Sequence, residues 1–207
     1  MWQLVIQGVI TPGLNASNPN LPFFRITEYG SKALKEGRSG PHDPTGYIQE
    51  VKSAASTTLG EVAIAYVEEA LRCFNAGCHT AAVLLLGVAA ESVFWNLCEE
   101  VSLSLRKPQE KKKFDGLPDN VKTRHRWIVE KYESLDKKVR RKELPESLDV
   151  TLTSLGDLIR RQRNELGHPQ TSPPGIEREV AFVFFRLFPS FVKDLEALAK
   201  YAKTRGL

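Results

Sequence analysis

Apolar residues return at steps of three and four through most of the chain beyond residue 60, a period that predicts helices packed on one another. Val62, Tyr66, Ala70 and Cys73 mark the first of these helices, which should stop near Gly77. From His79 to about Leu103 apolar residues fall nearly all round, as expected of a central buried helix. Arg106 to Lys113 contains Pro108 and reads as a loop, and a helix from about Asn120 to Leu135 carries Trp127, Ile128 and Tyr132. Pro145 stands where the next helix starts, and Leu148, Leu152, Leu155, Ile159 and Leu166 form its apolar stripe up to Gly167. After the stiff run holding Pro169, Pro173, Pro174 and Gly175, a last helix is expected from Ile176 to about Lys203, kinked at Pro189. Half of the ten phenylalanines lie between Phe182 and Phe191, so this helix should close the core.

The first 36 residues follow another pattern. Trp2 to Ile10 is β-prone and ends at the turn signal Thr11-Pro12-Gly13; Leu21 to Ile26 is a second β-prone run. Thr27 is placed to cap a short helix from Glu28 to Lys35. Phe24-Arg25-Ile26-Thr27-Glu28-Tyr29-Gly30 resembles the exit of the wing in a winged-helix DNA-binding module. No recognition helix precedes it, which counts against DNA reading and favours a hairpin that packs on the bundle or on a second chain. A Gly- and Pro-rich linker, Gly37 to Gly46, holds His42 and leads to a short helix from Tyr47 to Ala54. The expected organisation is a hairpin with a helix over 1–36, a linker with a short helix over 37–58, and a helical bundle over 59–207. The expected fold class is mainly α, a four- to five-helix bundle with a small N-terminal β-hairpin.

The chain of 207 residues suits one sizeable core, and its net charge of +4 is only mildly basic. The distribution matters more. Between Arg106 and Lys142 stand 14 Lys or Arg against 6 Asp or Glu, so one stretch concentrates positive charge and the remainder is acidic. Such a stretch is either a solvated surface or an anion-binding face. Cys73, Cys78 and Cys98 lack metal-ligand spacing, and with no secretory signal they point to a reducing, cytoplasmic location. The longest apolar run, Ala81 to Ala90, is too short to span a bilayer and reads as core. No phosphate-binding glycine loop, Ser/His/Asp arrangement or carboxylate cluster suited to Mg²⁺ is evident, so neither metal nor cofactor is expected.

One short segment carries chemistry. At about 100° per residue, Arg163 falls roughly 40–50° from the centre of its helix's apolar stripe, so its permanent charge needs an anion or a second subunit beside it. Gly167 can end the helix and Pro169 prevents its resumption, which lets His168 turn toward the side from which Arg163 projects. A position just past a helix C-terminus favours imidazolium and suits proton transfer near neutrality. The plainer alternative is an ordinary helix ending with Arg163 bridging to a buried acid such as Glu91.

Arg163-Asn164-Glu165-Leu166-Gly167-His168 resembles the Arg-x4–6-His motif of the HEPN superfamily, and the helix from Cys78 to Glu91 resembles its central core helix. The likeness is greatest to the DUF4145-like branch and covers roughly Gly60 to Tyr201. It implies a metal-independent endoribonuclease of prokaryotic stress or phage defence, toxin–antitoxin systems included, that pairs two motifs across a homodimer. Arg163 would then bind the scissile phosphate, His168 act as acid or base, and Asn164 orient the motif. Arg160, Lys122, Arg124 and Arg126 are candidate RNA contacts, with Glu91 in support. Non-catalytic members imply the rival reading, a module that dimerises or binds nucleotides, RNA or a partner protein such as an antitoxin or defence component. His125, among basic neighbours, reads as a solvated basic face or an RNA-backbone contact, His79 as a surface or capping residue, and Trp95 and Trp127 as core.

Overall fold

The computed structural model describes residues 1–6, 8–36, 40–155 and 175–207. The first element is a helix, α1 (Trp2–Ile6), where a strand was expected. Only Ile10–Pro12 (β1) pairs with Phe24–Ile26 (β2), antiparallel, with Ile10 opposite Ile26. A strand this short offers little hydrogen bonding, so apolar, β-branched composition alone did not decide the local structure of residues 2–6. Thr27 caps α2 (Glu28–Glu36) as expected, its Oγ1 accepting from the Gly30 amide at 2.9 Å. Gly30 is required there, because a Cβ would overlap the Val9 carbonyl oxygen.

The remaining helices among the described residues build the bundle. They are α3 (Pro44–Ala54), α4 (Glu61–Asn75), α5 (His79–Ser104), α6 (Pro108–Asp115), α7 (Val121–Ser134), α8 (Lys137–Glu143), α9 (Leu148–Val150) and α10 (Arg178–Arg205). A π-helical turn, Thr151–Leu155, continues α9. The α3 helix starts three residues earlier than expected, because Asp43 accepts from the Gly46 amide and Pro44 supplies a preset first turn. The same preference makes Pro108 the start of α6 rather than the mark of a loop.

Helix α5 is the core helix. It lies between α4 and α10 and buries Ala82, Val83, Leu86, Ala89, Val93 and Leu97. Its length and composition would allow it to cross a membrane, but half of that window is buried against protein, an arrangement compatible with a soluble protein. Helix α4 offers Ala63, Val67, Ala70, Leu71 and Phe74 to it, while Val62 and Tyr66 are exposed. Both sets satisfy a four-residue step, and the larger set wins by burying Leu71 and Phe74. Gly77 ends α4 with φ +80°, the Cys78 and Gly77 amides donating back to the Cys73 and Phe74 carbonyls.

Helix α10 runs unbroken through Pro189. Proline has no N–H for the carbonyl four residues back, which is that of Phe185. Tyr47 fills the gap. Its buried hydroxyl donates to the Phe185 oxygen at 2.7 Å, which ties α3 to α10. A second tie is Glu196, 2% exposed, whose carboxylate accepts from the Thr57 and Thr58 amides and the Ser56 and Thr58 hydroxyls. Burial alone would raise its pKa, but the hydrogen bonds from residues 56–58 and Lys200 outweigh that and hold it at about 2.

Candidate functional site

Arg160, Arg163, Asn164 and His168 lie outside the described residues, as does any pairing of Arg163 with Glu91. The turn from which the chain enters that segment is described. Leu148 and Leu152 are fully buried, in agreement with the first two positions of the predicted stripe. Asp194 of α10, 2% exposed, accepts from the Ser147 hydroxyl at 2.8 Å and the Thr151 hydroxyl at 2.5 Å. From the opposite side, His125 of α7 reaches the Leu152 carbonyl at 2.5 Å. A carbonyl only accepts, so Nε2 of His125 carries a proton and donates. A π turn shifts the helical ladder by one residue, and hydrogen bonds from neighbouring elements fix it in place.

His125 is therefore not a solvated face. Its ring is half-buried, 5.9 Å from that of Phe94, because α7 turns Arg124, His125, Ile128 and Tyr132 toward the bundle. Glu91, half-buried on α5, lines with His125, Phe94, Thr151 and Leu152 a cavity of about 20 Å³, room for roughly one water. A carboxylate, an imidazole and a shifted helical turn thus meet at one place.

The three basic candidates on α7 divide. Arg124 is turned inward, its side chain 12% exposed, with its guanidinium 5.5 Å from the Trp95 ring, 5.2 Å from the Phe114 ring and bound to Asp119 at 2.8 Å. It serves the protein's own packing. Lys122 and Arg126 are exposed, four residues apart on the outer face, with no ion pair among the described residues. Trp127 is buried and Trp95 packs against the core, as expected. His79 opens α5, its ring 5.5 Å from that of Phe74.

Spacing gave no sign of a further cluster at the start of α10. His42, read as an isolated linker residue, is 7% exposed, its ring 5.1 Å from that of Phe74. The Arg178 guanidinium lies 2.7 Å from Nε2 of His42. Arginine only donates, so Nε2 accepts and the ring is neutral. Burial and then the Arg178 charge lower the pKa of His42 below 6.5, against an opposing hydrogen bond to the Asn75 side chain. Cys98 is buried beneath α7, and burial pushes its thiol up to about 12 against the pull of Arg124. No family model, curated protein or solved structure matches the chain.

Proposed function

We propose that the protein is a metal-independent endoribonuclease of the HEPN kind, acting as a homodimer in prokaryotic stress or phage defence, with an antitoxin or defence protein as partner. Its main support in the structure is the doubly anchored turn at residues 151–155. Asp194 holds one side of it and His125 the other, and the sequence continues from it to Arg160, Arg163, Asn164 and His168. A motif that must meet a phosphate within a fraction of an ångström benefits from such a rigid root.

The residue types suit the chemistry. The imidazole of His168 takes the proton of a 2′-hydroxyl, the freed oxygen attacks phosphorus, and the bond to the 5′ oxygen breaks. That leaving oxygen takes a proton from the imidazolium of the second copy. The products are a 2′,3′-cyclic phosphate and a 5′-hydroxyl. The guanidinium of Arg163, charged at any relevant pH, offsets the charge that grows on the phosphate oxygens, and Asn164 orients the motif. Lys122 and Arg126 add backbone contacts from outside.

The test is cleavage of mixed RNA in EDTA by wild type, Arg163→Ala and His168→Ala. Wild type should release cyclic-phosphate ends, and each variant should be slower by at least about 100-fold. A folded, dimeric wild type that cuts nothing would leave the non-catalytic module as the better reading.

A further inference from the structure

The basic segment folds so that some of its cations serve the protein and others are left over. Lys111 is taken by Ser102, Arg124 by Asp119 and two rings, and Lys131 by Glu110. Helix α8 is different. Its sequence KKVRRKE holds five cations and one acid, and that acid, Glu143, is bound to Arg205 of α10. Nothing on α8 itself neutralises its charge.

Beside α8 lies a notch of about 360 Å³ lined by Tyr132, Lys137, Arg140, Arg141, Glu146 and Asp149, among others. Its floor is Arg140, whose side chain is 18% exposed and whose one ion pair among the described residues, with Asp149, is long at 3.8 Å. The guanidinium lies 5.1 Å from the Tyr132 ring, and its Nε is buried without an acceptor among the described residues. The Tyr132 hydroxyl is a second partner, so the guanidinium is satisfied by its own chain only in part. Lys137 and Arg141 stand exposed at the rim, and Glu146 lines the notch with no cation paired to it among the described residues.

We propose that this notch, between the end of α7, α8 and the start of α9, binds a phosphate group, and that its source is the backbone of a single RNA strand. A planar guanidinium with two flanking cations suits phosphate oxygens, and the exposed Lys138 and Lys142 extend the positive track along α8 for a polymer. The notch adjoins α9, the helix from which the sequence leads on to Arg163 and His168. The choice of RNA over a free nucleotide rests on the proposed function; the anion site itself does not.

The experiment measures binding, with cleavage disabled by His168→Ala and EDTA present. A labelled single-stranded RNA is titrated against this parent, against the same chain with Lys137→Glu and Arg141→Glu, and against a charge-matched control with Lys52→Glu and Lys193→Glu. All four substitutions are at exposed positions and should leave the melting temperature unchanged. The notch variant should bind at least tenfold more weakly and lose about 1.4 from the slope of log affinity against log salt, and the control should match the parent. Competition by millimolar AMP or pyrophosphate, absent in the notch variant, would support the anion site with a free phosphate as its source. The proposal is overturned if the notch variant binds RNA as the parent does, if the control loses as much, or if the parent binds neither RNA nor pyrophosphate. Cleavage by the unmodified protein, scored separately, shows whether the nuclease reading falls with it.

Discussion

The hydroxyl of Tyr47 occupies the place that the missing N–H of Pro189 leaves open, donating to the Phe185 carbonyl at 2.7 Å. A proline in mid-helix is thereby tolerated, and two helices distant in sequence are joined by a polar bond inside the core. Tyr47→Phe should lower stability by about 1–3 kcal/mol, the cost of a buried carbonyl left without a donor. In a Pro189→Ala background the loss should shrink below about 1 kcal/mol, since a backbone N–H then serves the same oxygen. Urea denaturation of the four proteins measures the coupling, and strictly additive losses would refute the account.

Acid should act through His42. Its pKa is lowered in the fold, so the unfolded chain binds the proton more readily, and stability rises with pH across the interval. The contribution is complete above the ordinary value of 6.5 and is lost as pH falls through the lowered one. Protonation would also set two cations face to face at the Arg178 contact. Melting temperatures of wild type should fall between pH 7.5 and 5, while those of His42→Gln should change less over that range. Parallel curves would remove His42 from the explanation.

His125 should be replaceable only by another donor. His125→Ala removes the side-chain donor to the Leu152 carbonyl and should cost about 1–3 kcal/mol. His125→Gln retains an amide N–H and should recover part of that. If the turn positions the motif, the alanine variant should also lose RNA cleavage at temperatures where it is fully folded, and the glutamine variant should regain some. Equal stability of all three proteins would show that the bond contributes nothing.

The α7 cations should separate by phenotype. Arg124→Ala removes two ring contacts and an ion pair from a nearly buried side chain, and should destabilise by about 1–2 kcal/mol. Lys122→Ala and Arg126→Ala should leave the melting temperature within about 1 °C and weaken RNA binding, each reducing the salt slope by about 0.7. Thermal melts and salt-dependent binding on the same preparations decide between the roles.

Periodicity made the helical frame legible. The all-round apolar helix at its centre, the stop at Gly77, the cap at Thr27, the start of α7 near Asn120 and the burial of Leu148 and Leu152 all agree with it. It misjudged Pro108, since a proline starts a helix as readily as it breaks one, and it made the run after Trp2 a strand. The polar anchors were legible in principle. Asp194 and Glu196 fall among Phe191, Val192, Leu195, Leu198 and Ala199, where a carboxylate on an apolar face announces a buried partner. Which partner it finds depends on three-dimensional packing, as with Arg178 and His42, 136 positions apart. For the candidate site, the motif was readable as a word, but that His125 turns inward while Lys122 and Arg126 face solvent had to come from packing.

Asp194 and Glu196 stand two positions apart in sequence yet fasten distant stretches, residues 147–151 by one and 56–58 by the other. Neither clasp can shut on a ribosome until translation has moved well past residue 196. The turn at residues 151–155 and the stretch after α3 are therefore left unfastened until α10 has emerged, so the frame closes late in synthesis.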